Sequence, residues 1–447
     1  MDLKKLFRQC LCTEQSISTC AVCLLCILII TLLTPILARN VPNILIIGTM
    51  AAFVVCVLPR VLYLRQRDKW VLIVLAAVMA VQVIYKLLGR SSAALYYYFN
   101  TVQFYFFLGA AIMTHSSLKK DQMLLVFGTI FVTLLYNMGH NIVLFMIHGA
   151  DDYINLFTAE KYTTNSMNTT YVSAIMLMTG VAWICAMRNK NKTFRIAAFA
   201  FAVFGFLFIL VIAQRMISVI LTVLMLGAIF LVGMKKRPLK KLSPKTRKIV
   251  ILGTIAAVLL LVIFAIPILR LVRSMVSSDR LVKRINQIIR FLKTGDPEQA
   301  GGSLSARYRL MSTSWNTFTS SVWNFMIGAG DHRITNEIIG NHSLVLDELA
   351  RYGFVFGLLS FYLLYCAMMA TRSMCHMKPG TKLSRQVTVL FITLALRAVV
   401  GNILDPSIGA CLFIAIPLLL KLSRMRGPLF VLGSEDTDKP DEKETET

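Results

Sequence analysis

Apolar runs of about 20 residues, the length a helix needs to cross roughly 30 Å of hydrocarbon, recur along nearly the whole chain, and no other feature narrows its fold as much. Lipid offers backbone N–H and C=O groups no partners, so a run of this length has to close its own hydrogen bonds as a helix. Composition agrees: 57% of the 447 residues are hydrophobic and 15% are charged, where a soluble domain carries about 25% charged residues. The expected fold class is all-α, a polytopic membrane protein of about 12 transmembrane helices. The spans fall near 17–38, 42–59, 70–88, 96–114, 122–147, 168–187, 194–213, 216–234, 249–269, 353–371, 386–404 and 407–421. The first has a basic flank like a signal peptide, but it is long and lacks a small-residue cleavage site, so it reads as an uncleaved span.

Short cytoplasmic loops carry excess Lys and Arg. With the N-terminus inside, the inner segments collect Lys4, Lys5 and Arg8; Arg60, Arg65, Arg67 and Lys69; Lys119 and Lys120; Arg188, Lys190, Lys192 and Arg195; the run 235–248; Arg372, Lys378, Lys382 and Arg385; and Lys421, Arg424 and Arg426. Both termini are therefore expected in the cytoplasm of a cell whose inner or plasma membrane holds the chain. The net charge of +25 is dispersed over these loops and forms no single basic domain, which argues against nucleic acid as a partner. The ten cysteines lie in spans or on the inner side. Cys23 and Cys26 form a CxxC pair inside an apolar helix without a second pair at zinc-finger spacing, so they read as packing residues.

Two segments depart from the pattern of spans and short loops. Residues 270–352 form one large extracytoplasmic loop between the ninth and tenth spans, too long for a connector; it separates a transmembrane region at 1–269 from C-terminal spans at 353–426. Residues 427–447 form an acidic, apolar-poor cytoplasmic tail that cannot bury a core and is expected to be disordered. Within the loop, Leu281, Ile285, Ile288 and Leu292 fall on one helical face, and Arg280, Lys283, Arg284, Gln287 and Arg290 cover the other. That is the pattern of a helix lying in the membrane interface with its cations toward phosphate, and equally of an amphipathic helix packed on the spans. Further on, Arg307, Trp315 and Trp323 recur at eightfold spacing. A polar, His-containing stretch then runs straight into an apolar span over 324–365: Ile327-Gly328-Ala329-Gly330, a polar insert, Asn341-His342-Ser343, and GFVFGLLSFYLLY.

This succession resembles the signature region of the bacterial O-antigen ligase and O-antigen or capsular polysaccharide polymerase superfamily, over about 307–365. A looser similarity in span number, orientation and the placement of one large outer loop extends over most of the chain. Gln214-Arg215, at the outer end of the seventh and eighth spans, is similar to a position where the family commonly has an Arg just before a helix. The chain departs from the family pattern at Ser343, where Asn often follows the His, and at Gln214, where Ser or Gly often precedes the Arg.

The resemblance implies metal-independent glycosyl transfer on the outer face of the membrane, without a cofactor. The donor would be an oligosaccharide linked through diphosphate to a polyprenyl carrier, undecaprenyl in bacteria, and the acceptor a sugar hydroxyl; a flippase and a chain-length regulator would be partners. The chemistry of the residues fits. Attack by a hydroxyl on an anomeric carbon calls for a general base near neutral pH, which imidazole supplies. A departing diphosphate calls for fixed positive charge, and the guanidinium fork supplies it without losing its proton. His342 is thus the candidate base, with Arg215 and Arg307 as candidate catalytic diphosphate ligands. Arg309, Arg284, Arg397 and Asn341 are candidate substrate-binding residues. Only one of Arg307 and Arg309 should face a site, being two residues apart on a helix. The plainer readings are a loop histidine at the cap of the next helix for His342, and a snorkelling span-end residue for Arg215.

Other polar groups carry no family motif. Asn137, His140 and Asn141 share a face of the fifth span, as interhelical glue or as the lining of a lipid-diphosphate path. Arg397, Gly401 and Asp405 are four apart, so Arg397 could pair with Asp405 or reach phosphate. Lys86 and Arg90 read as snorkelling anchors. Asp347 or Glu348 could orient His342 or help deprotonate an acceptor. The expected activity is polymerisation of lipid-linked repeat units of a surface polysaccharide. Ligation of finished glycan to a lipid or cell-wall acceptor uses the same residue types. A transporter or flippase of lipid-linked oligosaccharide is the reading from another class, and the absence of a clear repeat between 1–210 and 211–420 weighs against it.

Overall fold

The computed structural model describes residues 11–13, 16–89, 95–159, 169–213, 215–234, 264–275, 279–330, 338–375, 377 and 380–422, and over them the fold is all-helical. Helix α1 (Thr19–Leu33) starts where the Ser18 hydroxyl accepts the Ala21 N–H, and Pro35 separates it from α2 (Pro35–Asn40). Then come α3 (Asn43–Val57), which continues as a 3-10 turn to Tyr63, α4 (Gln66–Leu87), α5 (Leu95–Thr114), α6 (Lys120–Ala159), α7 (Thr169–Arg188), α8 (Lys192–Leu207) and α9 (Met216–Gly233). Five shorter or more polar helices follow: α10 (Ala265–Met275), α11 (Asp279–Thr294), α12 (Pro297–Ala300), α13 (Gly302–Thr319) and α14 (Val322–Ile327). The described chain ends with α15 (Leu344–Met374), α16 (Lys382–Val399) and α17 (Pro406–Leu422).

Among the described residues, six helices are long and apolar enough to cross a membrane: Asn43–Tyr63, Gln66–Leu87, Lys120–Gly149, Tyr171–Arg188, Lys192–Ile212 and Leu344–Met374. Thr19–Leu33, Ile217–Gly233 and Pro406–Leu422 are shorter apolar helices. The chain is therefore a multi-pass membrane protein by length and composition, with six such helices where twelve spans are expected. The physical reasons differ by helix. α16 carries Lys382, Arg385 and Arg397 within its 18 residues, and α5 carries Asn100 and Gln103. Most of the expected ninth span falls on 235–263, outside the described residues, as does the acidic tail.

The packing centre is α7. Its apolar window is 78% buried against 28% for α4, so α7 is walled by protein while α4 turns Ile73, Val83 and Leu87 outward. Lipid is as apolar as these side chains, so close packing and polar contacts hold the helices together. Glycines make the close contacts: a Cβ on Gly205 of α8 would strike Thr179 of α7, and one on Gly233 of α9 would strike Gln386 of α16. The Gln386 Nε2 donates to the Ile229 carbonyl at 3.2 Å. Asn137 of α6 donates from Nδ2 to the Leu33 carbonyl at 2.8 Å and to the Tyr171 hydroxyl at 2.7 Å. Asn137 is thus glue between α6, α1 and α7, and Asn141 bonds back to the Asn137 carbonyl at 2.8 Å. His140 stacks beside Tyr136.

Two backbone departures set up the site. The last turn of α8 widens, with the Ala213 N–H reaching the Phe208 carbonyl at 3.0 Å, and Arg215 follows as the boundary residue of α9; such wide turns are frequent at functional sites. Helix α15 breaks at Gly353 (φ 66°, ψ −172°), a backbone that favours glycine.

Candidate functional site

The Ile327–Gly330 turn is a backbone clasp. Gly328 (φ 76°) and Gly330 (φ 95°) both take left-handed backbone, which a side chain resists. Ala329 N–H donates to the Ala350 carbonyl at 2.8 Å and Gly330 N–H to the Arg351 carbonyl at 2.9 Å. A Cβ on Gly328 would collide with the Arg351 carbonyl, and one on Gly353 with the Ile327 amide. The amides of this Gly-x-Gly turn are therefore engaged with the bend in α15. Tyr85 of α4 donates its hydroxyl to the Ile327 carbonyl and stacks edge-on against Tyr352 at 5.2 Å.

Residues 338–343 form a second layer on α13. The Gly340 N–H donates to Ser314 Oγ at 2.9 Å, and a Cβ there would collide with the Leu310 carbonyl. Ser314 in turn donates to Asp347 Oδ1 at 2.6 Å, and the Ser343 N–H donates to Asp347 Oδ2 at 3.1 Å. Ser343 Oγ accepts the Leu346 N–H at 3.3 Å, which makes Ser343 the cap of α15. Asn341 sits in left-handed backbone (φ 57°), which Asn tolerates. Its Oδ1 accepts from Arg351 Nη2, and its Nδ2 donates to the Ile339 carbonyl at 3.1 Å. Arg351 also pairs with Glu348 at 3.3 Å, both buried.

This framework presents His342 outward. Its Nδ1 lies 3.0 Å from the Gly340 carbonyl, and a carbonyl can only accept, so Nδ1 carries a hydrogen and the neutral form of the ring has its lone pair on Nε2. In that neutral form, the exposed Nε2 is the atom a general base would use. Ser343 does the capping that the plainer reading gave to this loop. The expectation that Asp347 or Glu348 orients His342 is corrected: Asp347 holds Ser314 and Ser343, Glu348 holds Arg351, and the Gly340 carbonyl orients the ring.

Of the expected arginines, Arg397 is the one whose contacts tie it to this loop. Arg397, 3% exposed near the end of α16, donates from Nε to Ser173 Oγ of α7 at 3.1 Å. Its guanidinium lies over Gly401, where a Cβ would collide with it. Arg307 of α13 and Arg215 before α9 act on its charge as like charges. The Leu344 N–H, next after Asn341-His342-Ser343, reaches the Gly401 carbonyl at 3.4 Å and ties the histidine loop to the Arg397 segment. Like charges brought together oppose one another, and a polyvalent anion relieves that repulsion. Arg309 is exposed, away from the half-buried Arg307. The side chains of Arg284 and Arg90 lie outside the described residues, and Lys86 is half-buried near the end of α4. Asp405 accepts the Ser407 N–H at 2.9 Å at the start of α17.

Two further features border the group. An apolar cavity of about 170 Å³ is lined by Leu344, Val345, Ala398, Ile403 and Leu412 among others, one residue from Ser343 and one from Arg397. On α14, Val322 is 83% exposed and Trp323 stands beside it, a pairing suited to the headgroup level where Trp concentrates. In α11, Ile285 and Ile289 are buried and Ile288 is half-buried, while Leu292, Lys283 and Arg290 are exposed. Among the described residues no three His, Cys, Asp or Glu side chains cluster at metal-binding range.

Sequence reasoning missed Arg351, Ser314, Ser173 and Tyr85. The Glu348-Arg351 spacing of three was a readable intrahelical pair; the other three act across long sequence separations that leave no local signal. No family model matches this chain, and no curated protein matches it.

Proposed function

We propose that this chain is a membrane glycosyltransferase that polymerises polyprenyl-diphosphate-linked oligosaccharide repeat units of a surface polysaccharide, on the outer face of a membrane crossed about twelve times with both termini in the cytoplasm. The observation that carries the reading is the histidine loop, held on α13 through Ser314 and Asp347 with His342 Nδ1 against the Gly340 carbonyl and tied by backbone to the Arg397 segment, where Arg215 and Arg307 act on the Arg397 charge. His342 Nε2 takes the proton of the acceptor hydroxyl as its oxygen bonds to the anomeric carbon. The bond from that carbon to the diphosphate breaks, its electron pair stays on the diphosphate oxygen, and the arginines offset the charge that develops there. The proton then leaves His342 to water or to the released diphosphate. The apolar cavity beside Leu344 suits the first isoprene units of the carrier, and the exposed Val322-Trp323 edge suits a site at the membrane surface.

The test uses the full chain in liposomes with a lipid-linked repeat unit. His342→Ala lowers polymer formation by about 10²–10⁴-fold, the usual worth of a general base, without shifting the unfolding temperature, since the ring is exposed. Polymer formed at the wild-type rate by the variant overturns the assignment. Transbilayer movement of labelled substrate without new glycosidic bonds would make the chain a transporter. Finished polymer that stays on the carrier until a second acceptor is supplied would make it a ligase, with the same residues in the same roles.

A further inference from the structure

The end of the bundle opposite His342 holds a cavity that the glycosyl-transfer reading does not use. It measures about 460 Å³ and is lined by Arg60, Arg65, Arg67, Asp68, His115 and Ser116, with Ser373 of α15 closing one side. Asp68 and Tyr85 are both on α4, and Tyr85 holds the clasp beside the site. Seventeen residues at 1.5 Å each put roughly 25 Å between them, close to the thickness of the hydrocarbon. The cavity therefore opens at the other membrane face.

Its charge is unbalanced. Among the described lining residues three arginines stand against one carboxylate, and that carboxylate, Asp68, already meets Arg67 at 3.5 Å. Arg60 is 4% exposed, yet the partners of its guanidinium are neutral: the Thr13 carbonyl at 3.2 Å and the Ser116 hydroxyl at 3.1 Å. Its Nε is buried and meets no acceptor among the described residues. A buried guanidinium without a counter-ion among the described residues is costly, and a planar donor fork with an open N–H matches a tetrahedral oxyanion. Ser116 and Ser117 add hydroxyl donors on the same wall. The volume is in the range of roughly 300–1,000 Å³ typical of small-molecule sites, more than a bare ion fills.

We propose that this cavity binds the phosphate group of an anionic molecule, either the headgroup of a phospholipid in that leaflet or a soluble phosphate ester, and that Arg60 is its central ligand. The proposal does not depend on the glycosyl-transfer reading.

The experiment places the full chain in nanodiscs of phosphatidylcholine and follows the unfolding temperature in two arms. One arm replaces phosphatidylcholine stepwise with phosphatidylglycerol; the other adds glycerol 1-phosphate or inorganic phosphate to the neutral discs. A saturable rise in one arm supports the site, and the arm that responds names the source. Arg60→Gln and the exposed Arg65→Gln each weaken the apparent affinity about tenfold, the effect of one charge-assisted hydrogen bond. Arg65→Gln keeps the test valid if the Arg60 variant does not fold. Lys119→Gln, an exposed change outside the cavity, leaves the response as it was. The proposal is overturned if neither arm raises the temperature, or if Lys119→Gln weakens the response as much as the arginine variants do.

Discussion

Arg351 and Arg60 are the same residue at the same burial, 4% exposed each, at opposite ends of one bundle. Arg351 is answered from within the chain, by Glu348 and by Asn341, and the result is a fixed platform under His342. Among the described residues Arg60 is answered by a carbonyl and a hydroxyl, and their cavity has positive charge to spare. A buried cation is thus a structural device when its counter-charge is on its own helix and a binding device when the counter-charge has to come from outside. Burial alone does not separate the two; the partner list does.

The contrast predicts different costs for the same substitution. Arg351→Gln leaves Glu348 buried without its cation and should cost about 3–5 kcal/mol, read as unfolding in nanodiscs. The double change with Glu348→Gln should recover a good part of that loss, because no lone charge remains. Arg60→Gln in pure phosphatidylcholine should cost less than about 1 kcal/mol, since the lost hydrogen bonds are offset by removal of an uncompensated charge. Equal losses for the two variants would break the comparison and would mean that Arg60 has a counter-ion within the chain.

A smaller effect sharpens the picture of the platform. Asp347→Asn keeps the shape but gives up the charge that accepts both the Ser314 hydroxyl and the Ser343 amide, for about 1–3 kcal/mol. If the loop is held as described, turnover falls with it while His342 is untouched, and Ser314→Ala gives a similar but smaller loss. Unchanged turnover would show that the loop reaches its working geometry without Asp347.

Part of this was legible in the sequence, and the reasons are physical. Apolar length is a local property, so six of the expected spans stand as helices long and apolar enough to cross a membrane, and shorter or more polar helices stand at five others, the ninth lying largely outside the described residues. Whether a given helix is apolar enough to span alone is less local: α16 keeps Arg397 because Ser173 of α7 and Gly401 receive it, contacts no window along the chain can register. The family pattern singled out His342, Arg215 and Arg307, and Arg397 was noted for its position in a span. That the Arg397 charge feels the other two depends on the tertiary fold. The carboxylates were misjudged for the same reason, since Ser314 is 33 residues from Asp347 and only the fold brings it there.

The smallest effect tests the face of α13. Arg307 and Arg309 are two residues apart, and Arg309 is exposed while the half-buried Arg307 acts on the Arg397 charge. Arg309→Ala should change stability by no more than about 0.5 kcal/mol, as surface substitutions do, and turnover by less than about threefold. Arg307→Ala should lower turnover at least about tenfold, the loss of one charge-assisted contact with phosphate, at nearly unchanged stability. A reversed order, with Arg309 the sensitive position, would mean that α13 presents its other face to the substrate. Arg215 and Arg397 would then lack their third member, and the arginine group that carries the glycosyl-transfer reading would not exist as drawn.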